Sequence, residues 1–188
     1  MKFIRKILAA FLCLSLAACS PKSYTITNSV DIQYSDAQMN QYKWIGQPIA
    51  DFRKITLKEA LRFFDAGGSG ILFFGYVGCQ WCERAVPQLN QAANDTKTTI
   101  WYVDAKAPVD EKDYKQMMED LEDVLQKDDD GNPNFFVPLV VGIKNGKVTG
   151  SHTSLVSSFK PEGNNQLSES QARQLRNEYL KIIEKTAD

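Results

Sequence analysis

Two cysteines separated by two residues, Cys79-Gln80-Trp81-Cys82, carry the chemistry most readily read from this chain. The stretch follows an apolar, aromatic run from Ile71 to Val77. It opens a pattern in which Cys82, Ala85, Val86, Leu89 and Ala93 recur at helical spacing. A cysteine at a helix start meets unpaired backbone N–H groups and the positive end of the helix dipole, both of which favour a thiolate. Thiols so placed have pKa values of about 3.5 to 7.5, against roughly 8.5 when free. A second cysteine one turn later reaches the first sulfur and resolves a mixed disulfide, so the pair carries two electrons. The expectation is a nucleophilic Cys79 at the exposed first turn and a resolving Cys82 on the buried face.

The other two cysteines lie near the N-terminus. Lys2, Arg5 and Lys6 precede a mainly apolar run from Ile7 to Ala18 that holds Cys13. The run is too short for a membrane span, which takes roughly 20 apolar residues, and residues 1–18 read as a signal peptide. Its end, Leu16-Ala17-Ala18-Cys19, resembles the lipobox of bacterial lipoproteins. That resemblance implies an acylated Cys19 and an extracytoplasmic domain anchored to a bacterial membrane, each buried methylene contributing about 0.8 kcal/mol. Cys79 and Cys82 are then the remaining thiols, in a compartment where disulfides persist.

Composition narrows the field further. Lys and Arg total 22 against 23 Asp and Glu, scattered along the chain, so there is no basic footprint for nucleic acid. Cys-x-x-Cys is also half of a zinc or copper site, but such sites want three or four ligands. The sole histidine, His152, stands beyond the last hairpin signal, and there is no second cysteine pair. No metal and no cofactor are expected, and His152 is poorly placed to serve as the base of a Cys–His hydrolase. Asp128-Asp129-Asp130-Gly131 has the composition of a calcium loop, yet Gln126 and Val137 would fill the first and last ligand positions. It reads as a solvated turn.

About 170 residues follow the leader, enough for one domain with a sizeable core. Residues 19–50 are polar and read as a lipidated tether, although Tyr24, Ile26, Val30, Ile32 and Tyr34 fall at period two, as in an added edge strand. The folded domain is expected over residues 51–188. Phe52 to Ile55 suggests a strand, and Thr56-Leu57-Lys58-Glu59 is a capping box opening a helix with Leu57, Ala60, Leu61 and Phe64 on one face. Ile71 to Val77 suits a buried central strand, and Ile100 to Val103 the next one. Asp110 can cap a helix whose stripe of Tyr114, Met117, Met118, Leu121, Val124 and Leu125 reads as core. Val137 to Ile143 and Lys147 to Gly150 flank Asn145-Gly146, a strong hairpin signal. Ser168 to Gln171 caps a last helix with Ala172, Leu175, Tyr179, Ile182 and Ile183 inward. This alternation describes an α/β fold with a central mixed sheet flanked by helices.

Pro87 lies five residues after Cys82, and Val137-Pro138 leads directly into the hairpin. With these features the chain resembles thioredoxin-like thiol–disulfide oxidoreductases over roughly residues 51 to 150. The resemblance implies a thioredoxin-like fold, here with a longer helical segment between Ala105 and Phe136. It implies a cis Pro138 beside the sulfurs, Val137 offering backbone hydrogen bonds to an extended substrate, and Trp81 as a further substrate contact. The chain departs from the family in three places. Phe73 stands where a buried acid handles the proton of the second cysteine, Gly78 replaces a tryptophan, and Gln80-Trp81 replaces Gly-Pro. Glu83 is a candidate substitute acid, but by position it reads as a surface helix residue. Intervening dipeptides tune potentials over about −270 to −120 mV.

The implied activity is membrane-anchored disulfide exchange with secreted or envelope proteins or peptides, with a membrane thiol partner to reset the dithiol. The alternative is a non-catalytic tethered accessory or binding module. The thioredoxin-like accessory proteins of bacterial peptide export are a weaker resemblance of that kind.

Overall fold

The computed structural model describes residues 23–188. The expected signal peptide over residues 1–18 and the acylated Cys19 lie outside the described residues.

Residues 24–32 alternate between inward and outward positions, with Ile32 buried, as a period of two requires, whereas Tyr34, expected on the same side, is 57% exposed. This stretch nevertheless forms no ladder of its own. In the arm, residues 23–51, the only strand among the described residues is β1 (Ser35–Asp36), which pairs antiparallel with β2 (Phe52–Ile55). Between them Ala37, Met39 and Tyr42 are buried in the core, so the stretch expected as a tether is in its second half part of the globule.

α1 (Leu57–Asp65) starts where Thr56 Oγ1 accepts from the Glu59 N–H at 3.1 Å. Its buried face is Leu57, Ala60, Leu61 and Phe63, whereas Phe64 is half-buried. The i+3 line of 57, 60 and 63 wins because Phe63 packs edge-on to Trp101, with ring centroids 5.6 Å apart. β3 (Gly70–Gly75) is fully buried and leads to α2 (Gln80–Thr96), which is followed by β4 (Ile100–Asp104). α3 (Glu111–Asp120) is capped by Asp110 and shorter than its apolar stripe, which continues through a 3-10 turn at Glu122–Val124. Met117 and Leu121 are fully buried, so this methionine is core, while Tyr114 is exposed. β5 (Gln126–Lys127) and β6 (Pro133–Asn134) form a separate two-stranded ribbon. Its turn is organised by Asp128 Oδ1, which accepts from the Asp130 and Asn132 N–H groups. β7 (Leu139–Lys144), β8 (Lys147–Thr153) and α4 (Glu169–Thr186) complete the chain, α4 opening with the Ser168/Gln171 capping box.

The main sheet has the order β1-β2-β4-β3-β7-β8. β2, β4 and β3 run parallel, and β7 runs antiparallel to β3 and β8. Alternate residues divide the core between the two faces. Phe52, Ile71, Phe73, Ile100, Tyr102 and Val140 pack with α2, α4 and the arm. Ile55, Leu72, Phe74, Trp101, Val103 and Val141 pack with α1 and α3. The fold is therefore α/β, with a central mixed sheet flanked by helices. Among the described residues no helix is long and apolar enough to cross a membrane.

Candidate active site

β3 delivers the chain to the dithiol and α2 receives it. The expected strand to Val77 stops two residues short, because Tyr76 and Val77 leave the sheet in a turn closed by the Cys79 N–H donating to the Tyr76 carbonyl at 3.3 Å. Gly75 ends the strand, and a Cβ there would stand 2.6 Å from the Phe73 ring and 3.3 Å from Cys82 Sγ. Gly78 follows with φ at +87°, a region that strains any L side chain, which accounts for glycine immediately before the cysteine.

Cys79 is the N-cap of α2, and its Sγ accepts from the Cys82 N–H at 3.2 Å. The Cys82 thiol also donates to this sulfur. That bond, helped by the Cys82 and Trp81 N–H groups and opposed by burial and Glu83, lowers the Cys79 pKa to about 7. Cys82 is pushed the other way, by the hydrogen bond it donates to Cys79, by burial and by the charge on Cys79. One sulfur thus favours the thiolate near neutral pH, whereas its neighbour favours the thiol. Both are free thiols.

The expectation of an exposed Cys79 needs correction, since the residue is 6% exposed and Cys82 is 0% exposed. Cys79 belongs to the apolar cluster that contains Ala37, Met39 and Tyr42 of the arm, with Tyr76 and Val137 packed against it. Sequence position at a helix start says nothing of what the arm and the β7 approach lay over it.

The other expected site residues gather at the same end of the sheet. Trp81 is 40% exposed on the first turn of α2. The Val137–Pro138 peptide is cis, as is Gln47–Pro48. Pro138 immediately precedes Leu139, the β7 partner of Phe74, so it flanks the end of β3 that feeds the dithiol. His152 is elsewhere, in β8 opposite Val140 and edge-on to Tyr179 at 5.8 Å, with its pKa lowered by burial. Among the described residues no three or more His, Cys, Asp or Glu side chains cluster as a metal site.

Three features were missed by sequence reasoning. Phe73 belongs to a triangle of aromatic rings, stacked on Tyr102 at 5.5 Å and tilted against Tyr42 at 6.4 Å, with the two tyrosine rings edge-on at 6.3 Å. The two tyrosine hydroxyls are 3.4 Å apart. Burial raises the pKa of Tyr42 and Tyr179 and pushes Tyr102 up to about 12, so the phenols within electrostatic reach of Cys82 are neutral. Arg84 is 2% exposed, stacks on the Trp44 ring at 4.7 Å, and donates to the Gln80, Gly163 and Asn165 carbonyls and to Asn165 Oδ1. It ties the arm and the 160–166 loop to the start of α2. Glu83 is buried at 7% exposure, not a surface residue; Oε1 accepts from the Gly78 N–H at 2.9 Å and Oε2 from the Lys43 N–H at 2.6 Å. A carboxylate in the opening turns of a helix was visible in the sequence, but its backbone partners come from the arm and the preceding turn.

No family model matches the chain, and no curated protein matches it significantly.

Proposed function

We propose that this protein is an extracytoplasmic thiol–disulfide oxidoreductase of thioredoxin-like fold, anchored to a bacterial membrane through an acylated Cys19. The observation that carries the reading is the seat of the two sulfurs: Cys79 is the N-cap of α2 and its Sγ accepts from the Cys82 N–H at 3.2 Å, an arrangement that favours the thiolate on Cys79 and the thiol on Cys82. The mixed sheet, the dithiol at a helix start and the hairpin entered through Val137-Pro138 support the thioredoxin-like assignment.

In the reductive direction the Cys79 thiolate attacks one sulfur of a client disulfide. A Cys79–client S–S bond forms, and the other client sulfur leaves as a thiolate. Cys82 then attacks Cys79 Sγ, its proton passing to the second client sulfur, which leaves as a thiol. The client gains two electrons and the protein is left with a Cys79–Cys82 disulfide, which a membrane thiol partner reduces. The same steps in reverse oxidise a client dithiol. Trp81, Val137 and Pro138 are the proposed contacts to an extended protein or peptide segment, and the chemistry requires no metal or cofactor.

One observation favours a second reading, a non-catalytic tethered accessory or binding module of the kind used in peptide export: Cys79 is only 6% exposed. Turnover separates the two. The purified protein with a thiol reductant should reduce a peptide disulfide catalytically, and Cys82→Ser should trap the peptide on Cys79. If wild type does not turn over and Cys82→Ser forms no trapped adduct, the protein is the accessory module.

A further inference from the structure

Glu83 is a buried carboxylate with no cation. Its two hydrogen bonds come from backbone N–H groups, and among the described residues it enters no salt bridge. An ionised group in that position costs several kcal/mol of desolvation that two N–H donors only partly offset, so its presence four residues from Cys79 calls for a role. The donors define one. The Gly78 N–H belongs to the residue that turns the chain into Cys79, and the Lys43 N–H belongs to the arm segment next to Tyr42. Lys43 itself reaches Asn164 Oδ1 at 2.7 Å, so the arm is pinned on both sides of the carboxylate.

We propose that Glu83 is the positioning residue of the dithiol: it locks the Gly78 turn and the arm around Cys79, and its unpaired negative charge opposes the Cys79 thiolate. The proposal rests on the thiol–disulfide reading and adds a direction to it. The oxidised protein carries an uncharged disulfide, whereas the reduced protein above the thiol pKa carries a thiolate that Glu83 disfavours. Reducing the disulfide takes up two electrons and, above that pKa, one proton. A nearby fixed negative charge makes this uptake less favourable, so the dithiol is a better electron donor to its client than one without the carboxylate. The effect vanishes below the pKa, where reduction takes up two protons and both forms are uncharged at the sulfurs.

The groups facing the sulfurs from other elements do not mimic this signature. Tyr42 of the arm, Tyr102 of β4 and Tyr179 of α4 are buried phenols with raised pKa values. Tyr76 of the turn is also raised, principally by Cys79, and Lys106 sits over its ring at 4.2 Å. None of these phenols ionises between pH 5 and 8.

The test compares wild type with Glu83→Gln, which keeps the shape and one acceptor oxygen but removes the charge. Thiolate absorbance should show a lower Cys79 pKa in the variant, with thiolate at pH 6 increased about twofold or more. The potential measured against glutathione should rise at pH 8 and coincide with wild type at pH 5. A purely structural Glu83 would move stability at both pH values and leave the thiolate titration in place. An unchanged titration and potential overturns the inference even if exchange activity is intact, whereas an inert wild-type dithiol overturns the functional reading instead. Should Glu83→Gln fail to fold, the wild-type protein labelled at Glu83 Cδ supplies the answer. Its carboxyl resonance should shift as Cys79 ionises, and a flat resonance through that titration refutes the electrostatic coupling.

Discussion

The Tyr24 N–H donates to the Thr96 carbonyl at 3.3 Å, which brings the arm into the domain at the last turn of α2, while Cys79 caps the first. Nearby, the Asp188 N–H donates to the Thr25 carbonyl, and the Asp188 carboxylate accepts from Thr27. The arm then passes Ser69 and Glu59 and pairs with β2 through β1. From Lys43, held by Glu83, it follows α2 to Pro48, whose carbonyl accepts from Asn90 and Asn94 in successive turns. The entry point of the chain and its dithiol are therefore at opposite ends of a 17-residue helix, about 25 Å long at 1.5 Å per residue.

An anchor at Cys19, five residues before Tyr24, reaches at most about 18 Å from the arm's entry. In vesicles holding the lipidated protein, a fluorophore on Lys97→Cys, in a background lacking Cys79 and Cys82, should be strongly quenched by headgroup acceptors. A fluorophore on Cys79 in Cys82→Ser protein should be quenched much less. Equal quenching would mean that the dithiol does not face away from the bilayer.

The two sulfurs should fail differently. Cys79→Ser should bring exchange down to the uncatalysed rate, whereas Cys82→Ser should still attack and should accumulate mixed disulfides visible on non-reducing gels. Retained turnover in the Cys79→Ser protein would remove the proposed nucleophile.

Alkylation of Cys79 should rise with a midpoint near pH 7, set by its lowered pKa. Stability of the reduced form follows from the same shifts. A free thiol titrates at about 8.5, so between pH 7 and that value the unfolded chain holds more protons at Cys79, and stability rises with pH; it is lost as pH falls through about 7. Cys82 acts in reverse, because its raised pKa keeps the folded thiol protonated after the unfolded one ionises, so stability falls again above about pH 9. Urea denaturation of the reduced protein across this range should show a maximum that the oxidised protein lacks.

Asn90 offers a check on the arm that leaves the sulfurs alone. Its side chain is 2% exposed, accepts from the Ala50 N–H at 2.9 Å, and donates to the Gly46 and Pro48 carbonyls at 3.1 Å. Asn90→Ala removes three hydrogen bonds worth about 1 kcal/mol each and should cost about 2 to 3 kcal/mol in urea denaturation. A change below about 0.5 kcal/mol would show that the arm's docking contributes little to stability.

Local pattern determined much of this molecule. Apart from the β5–β6 ribbon, which the sequence marks only as a solvated turn, the strands and helices from Phe52 to Thr186 sit within a few residues of where apolar periodicity, the Thr56 and Ser168 caps and the Asn145-Gly146 turn put them, because those signals act between residues close in the chain. The dithiol was legible for the same reason, since Cys-x-x-Cys at a strand-to-helix junction is a local arrangement. Tertiary structure alone decided what surrounds it. The arm's period-two alternation holds from Tyr24 to Ile32 and fails at exposed Tyr34. The groups that hold the arm, Ser69 at Asn28, Glu59 at Gln33, Glu83 at Lys43 and Asn90 at Ala50, lie 26 to 41 residues away in sequence. The triangle of Tyr42, Phe73 and Tyr102 and the change of Glu83 from apparent surface residue to buried clamp both need the segment around Tyr42 and Lys43 docked on the domain. A charge is placed by the groups that solvate it, and here those groups come from parts of the chain that meet only when it folds.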